Sequence, residues 1–254
     1  MKPIKTLVFA TSYMRDAQAW KSRYQRWFQY YRQSPLGQLP LTLIDDGSPF
    51  PPDDPVVNLQ IAGNSPDIKS GYLNIIRFPD NLGRSSLANY PGWWRSFLFS
   101  AVLAKQQGFN RIIHIESDAY ILSERFYDRL LSTERGWTTF WLPTYQLPET
   151  AIQIIGEDQF DNMLSVWEHP ELNLALAENI LPFTCVDKSM KGDRYSEFKR
   201  NRWIFRSQKF DRFPLFKTDL FFAPIPKDAD FATQVVQRQF REPRLHHAIH
   251  SDPT

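Results

Sequence analysis

The chain has 254 residues, with 30 Lys+Arg against 28 Asp+Glu and a formal net charge of +2. It therefore carries no global field that would recruit nucleic acid or an acidic partner, and any anion site must be local. Its length suits one large α/β core, and its one cysteine, Cys185, excludes an intrachain disulfide and a thiolate zinc site, in keeping with a reducing compartment.

The opening stretch MKPIKTLVFATSYMRDAQ holds only a short apolar run before Arg15 and Asp16, and reads as a strand over 6–12, not as a signal peptide. Asp16 then suits the N-cap of a helix over 16–33, where Trp20, Tyr24, Trp27, Phe28 and Tyr31 recur at three- and four-residue steps. Further apolar runs, LTLIDD (41–46), LNIIRF (73–78) and RIIHIES (111–117), have the composition of strands covered on both faces. The Pro-, Asp- and Ser-rich segment 46–70 between two of them reads as a long loop. A helix over 92–107 ends at Gly108. This alternation predicts right-handed crossovers and a doubly wound half-domain, in which ligands sit outside the carboxyl ends of the strands.

Beyond residue 123 the pattern changes: a helix over about 124–133, strands in WTTFWLPTY and TAIQIIG, helical segments near 157–168 and 171–180, the strand-like DLFFAPIP (219–226) and a helix near 229–240. Without a Gly/Ser linker or a repeat, the chain reads as a single domain over 1–254, with the 124–254 half fused to the first sheet. No segment approaches the roughly 18–20 apolar residues that span a bilayer. A cytoplasmic protein is expected, touching the inner face of a membrane at most peripherally.

Glu116 and Asp118 stand two apart at the end of an apolar run. In an extended strand such residues share a face, and hard carboxylate oxygens at a strand's carboxyl end suit Mg²⁺ or Mn²⁺ completed by a phosphorylated ligand. The second strand also ends in acid, Asp45-Asp46-Gly47-Ser48-Pro49, where a carboxylate can accept from a base N–H or ribose hydroxyls.

The order of TSYMR, IDDGSP, PDNLGRSSLANYPGWWRS and the strand ending ESD resembles the nucleotide-binding half of the glycosyltransferase A-type (GT-A) fold, over roughly residues 5–123. The resemblance implies a Rossmann-type mixed sheet with helices on both faces, a nucleotide-diphospho-sugar donor and a divalent ion. It places Glu116 and Asp118 on the family's D-x-D carboxylates, with Asp118 on the metal. Glu for the first Asp is a departure, adding a methylene. It places Asp45 and Asp46 on the nucleoside-binding turn, and Thr11, Ser12 and Tyr13 on the loop flanking the base. Arg84 and Arg95 fall where the family's helix faces the donor, and can offer planar donors to phosphate or sugar. Retaining and inverting transfers both occur on this fold.

A catalytic base is sought in the second half. Glu149 precedes an apolar strand and Glu157-Asp158 follow it; Glu178, Asp187 and Asp193 are further candidates. Gln153, within that strand, either pairs with backbone or is aimed at a sugar. The stretch 187–212 holds nine basic against four acidic residues, interleaved with aromatics and containing Gly192 as a hinge. It reads as a lid over the diphosphate, a dock for an anionic glycan or lipid headgroup, or a solvated helix. His246, His247 and His250 close the chain, with His247 or His250 a candidate third metal ligand. The leading reading is a metal-dependent transferase from a UDP-sugar to a glycan or glycolipid. The alternatives are a non-catalytic nucleotide- or glycan-binding module of the same fold and a sugar nucleotidyltransferase, whose Gly-rich N-terminal loop is missing after LVFATS.

Overall fold

The structure is a computed structural model that describes residues 4–63, 66–86, 89–172, 174–195, 224–235, 240 and 245. The first apolar run forms β1 (Thr6–Ser12), buried at every position. Asp16 caps the helical segment that follows, accepting from the Ala19 amide at 2.8 Å. That segment is not one regular helix: α1 (Ala17–Ala19) opens into a π-helical turn (Trp20–Gln25) before α2 (Arg26–Arg32). A 3₁₀ turn (Pro35–Gln38) leads to β2 (Leu41–Asp45). The segment read as a long loop contains a strand, β3 (Val57–Ile61), whose half-exposed, polar-interrupted side chains mark an edge and hid it from a search for apolar runs.

β4 (Leu73–Arg77) is followed by α3 (Pro91–Gln107), which starts with Pro at its first position and stops where Gly108 takes the left-handed conformation, φ 67°. Next come β5 (Arg111–Ile115), β6 (Tyr120–Ile121) and α4 (Glu124–Ser132). β7 (Trp137–Leu142) and β8 (Leu147–Gly156) form a hairpin with a bulge at Thr139/Phe140. A 3₁₀ turn (Glu157–Gln159), α5 (Phe160–Ser165), a second 3₁₀ turn (Val166–Glu168) and the short α6 (Ala177–Ile180) replace the two longer helices expected there. β9 (Cys185–Asp187), β10 (Gly192–Arg194) and β11 (Phe231–Thr233) complete the described elements. β11 lies where a helix was expected; it is the middle strand of a small sheet, between β10 and β6. Residues 219–223 of the expected strand lie outside the described residues.

The main sheet has the order β3-β4-β2-β1-β5-β8-β7-β9. Strands β3, β4, β2, β1 and β5 are mutually parallel, and β8 runs against β5. The sheet crosses residue 123 without a break. One face packs on the aromatic helical segment through Trp20, Trp27 and Tyr31, with Phe126 and Phe231 beside them. The other packs on α3 and α5 through Trp94, Phe97, Phe160 and Met163. Each such side chain, buried fully, contributes about 1.5–3 kcal/mol. The result is an α/β fold whose main mixed sheet carries helices on both faces. From β1 the order runs outward to β2 on one side and to β5 on the other, so the carboxyl ends of β1 and β5 are the sheet's switch point, where such folds place their ligand crevice.

Candidate functional site

Thr11, near the end of β1, donates its hydroxyl across that crevice to both oxygens of Glu116, at 2.8 and 3.0 Å. Glu116 stands one residue past β5, its amide tied to the Ala151 carbonyl of β8. Trp93, in the first turn of α3, donates its indole N–H to Glu116 Oε1 at 2.6 Å. His114 Nε2 lies 3.1 Å from the same oxygen. The orientation of that imidazole is set from behind. Trp137 Nε1–H can only donate, and meets Gln153 Oε1 at 2.7 Å. The Gln153 amide nitrogen therefore faces the Thr150 carbonyl and His114 Nδ1, which leaves Nε2 as the nitrogen that donates to Glu116. Gln153 is thus committed inside the sheet. Burial works to raise the Glu116 pKa, yet the donors from His114, Trp93 and Thr11 outweigh it and hold the carboxyl below its ordinary value.

Asp118 has a different setting. β5 ends at Ile115, and a turn closed by the Ala119 amide on the Glu116 carbonyl takes over, so the alternation that would aim both carboxylates at one point no longer applies. Asp118 faces Arg23 of the π-helical turn. Arg23 Nη2 donates to Asp118 Oδ2 at 3.0 Å, and its Nε donates to Ser117 Oγ at 2.5 Å. The two side chains remain 45% and 31% exposed. Partial burial of Asp118, with the charges of Glu116 and Glu149, pushes its pKa up against the pull of Arg23. Arg23 escaped the sequence reading because helical periodicity drew attention to its aromatic neighbours, and a π turn leaves no mark in that pattern.

A divalent ion needs several hard oxygen ligands left free. Glu116 Oε1 already takes three donors, a guanidinium stands against Asp118, and the described residues contain no group of three or more His, Cys, Asp or Glu able to hold a metal. His246, His247 and His250 lie outside the described residues. The donor set as it stands does not fit the ion expected from the D-x-D resemblance.

At the second acidic tip the carboxylates are committed internally. Asp45, fully buried, accepts from the Ser48 amide at 2.8 Å, the Ser12 hydroxyl at 2.9 Å and the Ser48 hydroxyl at 2.5 Å. Burial pushes its pKa up in spite of them. Asp46 accepts from the Asn81 amide at 2.8 Å, the Gly83 N–H at 2.8 Å and Arg95 Nη2. The oxygens of Asp45 and Asp46, expected to read the nucleoside, hold the turn in this structure. Both Nη groups of Arg95 are likewise engaged, Nη1 on the Asp80 carboxylate at 2.9 and 3.0 Å. Arg84 donates to the Ser86 carbonyl at 2.8 Å and lies over the Tyr90 ring. Tyr13 is held by its backbone, N–H and C=O both on the Tyr24 hydroxyl, while its ring is 43% exposed.

The base candidates sit differently from the sequence expectation. Glu149 lies inside β8, not ahead of it, and is 1% exposed; Arg194 Nε at 3.0 Å, Thr233 Oγ1 at 2.7 Å and the Ala151 amide at 2.9 Å occupy it. Glu157 and Asp158 sit at the wrong edge. β8 is antiparallel to β5, so Gly156 pairs with Arg111, and β5 carries the chain about 13 Å from there to Ile115. Asp158 instead accepts the Gly136 amide at 3.0 Å. Glu178 pairs with Arg194, Asp187 with Arg129, and Asp193 with the Thr144 hydroxyl. Gly192, expected as a hinge, is a buried β10 residue on the Phe231 ring, and 196–212 lie outside the described residues. No described helix is long and apolar enough to cross a membrane.

No family model and no curated sequence matches the chain. Among solved structures it is similar to a glycosyltransferase involved in the glycosylation of the major capsid of PBCV-1, at 12% identity and TM-score 0.44, over 96% of this chain and 98% of that one. It is similar to the apo-form glycosyltransferase GlyE of Streptococcus pneumoniae TIGR4, at 10% identity and TM-score 0.49, over 98% of this chain and 61% of that one. A third is S. aureus TarS 1-349 in complex with UDP, at 12% identity and TM-score 0.36, over 63% of this chain and 48% of that one.

Proposed function

We propose that the chain is a glycosyltransferase that takes a sugar from a nucleotide-diphospho-sugar, a UDP-sugar first among candidates, and passes it to a hydroxyl of a glycan or glycolipid. The observation that carries this reading is the group of side chains at the switch point between β1 and β5. There an exposed aromatic ring (Tyr13), an ionised carboxylate with oriented donors (Glu116) and an exposed guanidinium (Arg23) stand along one sheet edge. The order of motifs that resembles the A-type half agrees with it.

In this reading Tyr13 offers a face to the base. Thr11 and Trp93 keep Glu116 ionised and immobile, as an acceptor for ribose hydroxyls. In the transfer the bond from the anomeric carbon to the diphosphate oxygen breaks, and its electron pair stays on the diphosphate. The acceptor oxygen bonds that carbon and gives its proton to a carboxylate or water at the mouth. The test is a panel of nucleotide-sugars, each incubated with Mn²⁺, with Mg²⁺ and with EDTA, and scored for nucleoside diphosphate release. Release from one donor supports the reading. Tight binding of a nucleotide with no release from any donor, with or without glycan acceptors, replaces it by a binding module.

A further inference from the structure

The π-helical turn Trp20–Gln25 sits within the helical segment that follows β1. Such wide turns cost hydrogen-bond geometry and recur where a side chain must be aimed. Here the aimed side chain is Arg23. It reaches 94 and 95 residues along the chain to Ser117 and Asp118, the turn directly after Glu116. We propose that Arg23 supplies, from within the chain, the positive charge that receives the donor's diphosphate, so that donor binding does not depend on a divalent ion. This rests on the nucleotide-sugar reading above.

A guanidinium has five N–H groups. Nε–H is used on Ser117 and one Nη2–H on Asp118. The rest have no acceptor among the described residues, and the side chain is 45% exposed at the crevice. Two fixed donors lock the plane of the fork, and the remaining edge is left to a bidentate oxyanion, the geometry in which Arg grips phosphate. The pairing with Asp118 keeps the charge in place without saturating it. The other arginines offered by the sequence are otherwise engaged: Arg95 is closed off by Asp46 and Asp80, and Arg84 turns to its own loop. The position that the D-x-D resemblance gives to a metal is faced by this guanidinium instead.

The experiment is calorimetric titration of the wild type, Arg23→Gln and Arg23→Lys with UDP and with uridine, each in EDTA and in Mn²⁺, after thermal melts of all three. The wild type should bind UDP in EDTA within about threefold of its affinity in Mn²⁺. Arg23→Gln should lose about 10- to 100-fold for UDP, as expected for charge-assisted hydrogen bonds. Its affinity for uridine, which has no phosphate, should be unchanged, a split that a merely structural role would not produce. Arg23→Lys keeps the charge but not the fork and should fall between; it carries the comparison if the Gln variant melts early. Wild-type binding of UDP that vanishes in EDTA and returns with Mn²⁺ overturns the proposal and leaves the transferase reading standing. Equal UDP affinity of wild type and Arg23→Gln in EDTA overturns it as well. If UDP, and CDP and GDP titrated with the wild type in the same way, all fail to bind with and without Mn²⁺, the nucleotide-sugar reading falls and this proposal with it.

Discussion

Two acidic tips share one edge of the main sheet, and they are built for opposite ends. At the β2 tip, Asp45 and Asp46 are 0% and 5% exposed, and their oxygens are taken by Ser12, Ser48, Asn81, Gly83 and Arg95. At the β5 tip, Glu116 is similarly enclosed, but Asp118 and Arg23 open toward solvent with donors to spare. The two enclosed carboxyls, Asp45 and Glu116, shift in opposite directions. Asp45, served mainly by serine hydroxyls, is pushed up by burial, while the His114, Trp93 and Thr11 donors outweigh burial at Glu116. A carboxylate at a strand end is therefore not functional by position; what decides it is where its donors come from and whether any donor is left over.

The largest expected effect comes from breaking the closed tip. A Cβ at Gly92 would lie 2.0 Å from Asp46 Oδ2 and 2.5 Å from its Cγ, and Asp46 is pinned by Asn81, Gly83 and Arg95. Gly92→Ala should cost about 2–3 kcal/mol by overpacking, read as a lower urea midpoint at unchanged slope. UDP affinity of the folded protein should stay near wild type. An unchanged midpoint would mean that the β2 tip yields, and the contrast between the tips would collapse.

Next in size is a pH effect confined to the same tip. The folded pKa of Asp45 is raised above its ordinary 3.8, so between 3.8 and the raised value the native state holds a proton that the unfolded chain has lost. Stability from this group is therefore present at low pH and falls as pH rises through that window. In Asp45→Asn this group's contribution to the slope should vanish. Urea midpoints from pH 3.5 to 7 should show the variant furthest below wild type at the acid end, with the gap narrowing as pH rises.

Strand ends were legible in the sequence, because Leu41–Asp45 and Arg111–Ile115 are buried on both faces and such runs admit few polar residues. Glu116, Asp118 and Thr11 could be placed for that reason. Edge and bulged elements were not: β3 alternates half-exposed residues, and β11 needed partners from β6 and β10 to become a strand. The direction of β8 was decisive for the site. A parallel strand would have delivered Glu157 and Asp158 to the crevice, whereas the observed antiparallel pairing delivers Thr150 and Ala151 instead. Arg23 was missed because its partners lie more than ninety residues away, and no local pattern encodes such a pairing.

A smaller effect should separate the open tip from the closed one by ligand alone. Tyr13 has its backbone fixed by Tyr24 and its ring exposed. Tyr13→Ala should change stability by less than about 0.5 kcal/mol. If the ring stacks on the base, about 1 kcal/mol of aromatic contact corresponds to roughly a fivefold loss of affinity for UDP and for uridine alike. Equal affinities would move the base away from β1.

The smallest expected effect is also the one that most sharply separates a guanidinium site from a metal site. Asp118→Asn removes a charge but keeps an oxygen that can accept from Arg23 Nη2, while Ser117 still accepts from Nε. The fork should stay in place, and loss of a negative charge beside the diphosphate partly offsets the weaker hold on Arg23. UDP affinity in EDTA should therefore change by no more than about threefold, roughly 0.7 kcal/mol. A divalent ion has no such tolerance, because a neutral amide is a far poorer ligand for a hard cation than a carboxylate. A collapse of UDP binding in Mn²⁺ for Asp118→Asn, with Arg23→Gln left close to wild type, would return the charge at this tip to a metal and leave Arg23 as its counter-ion in the free protein.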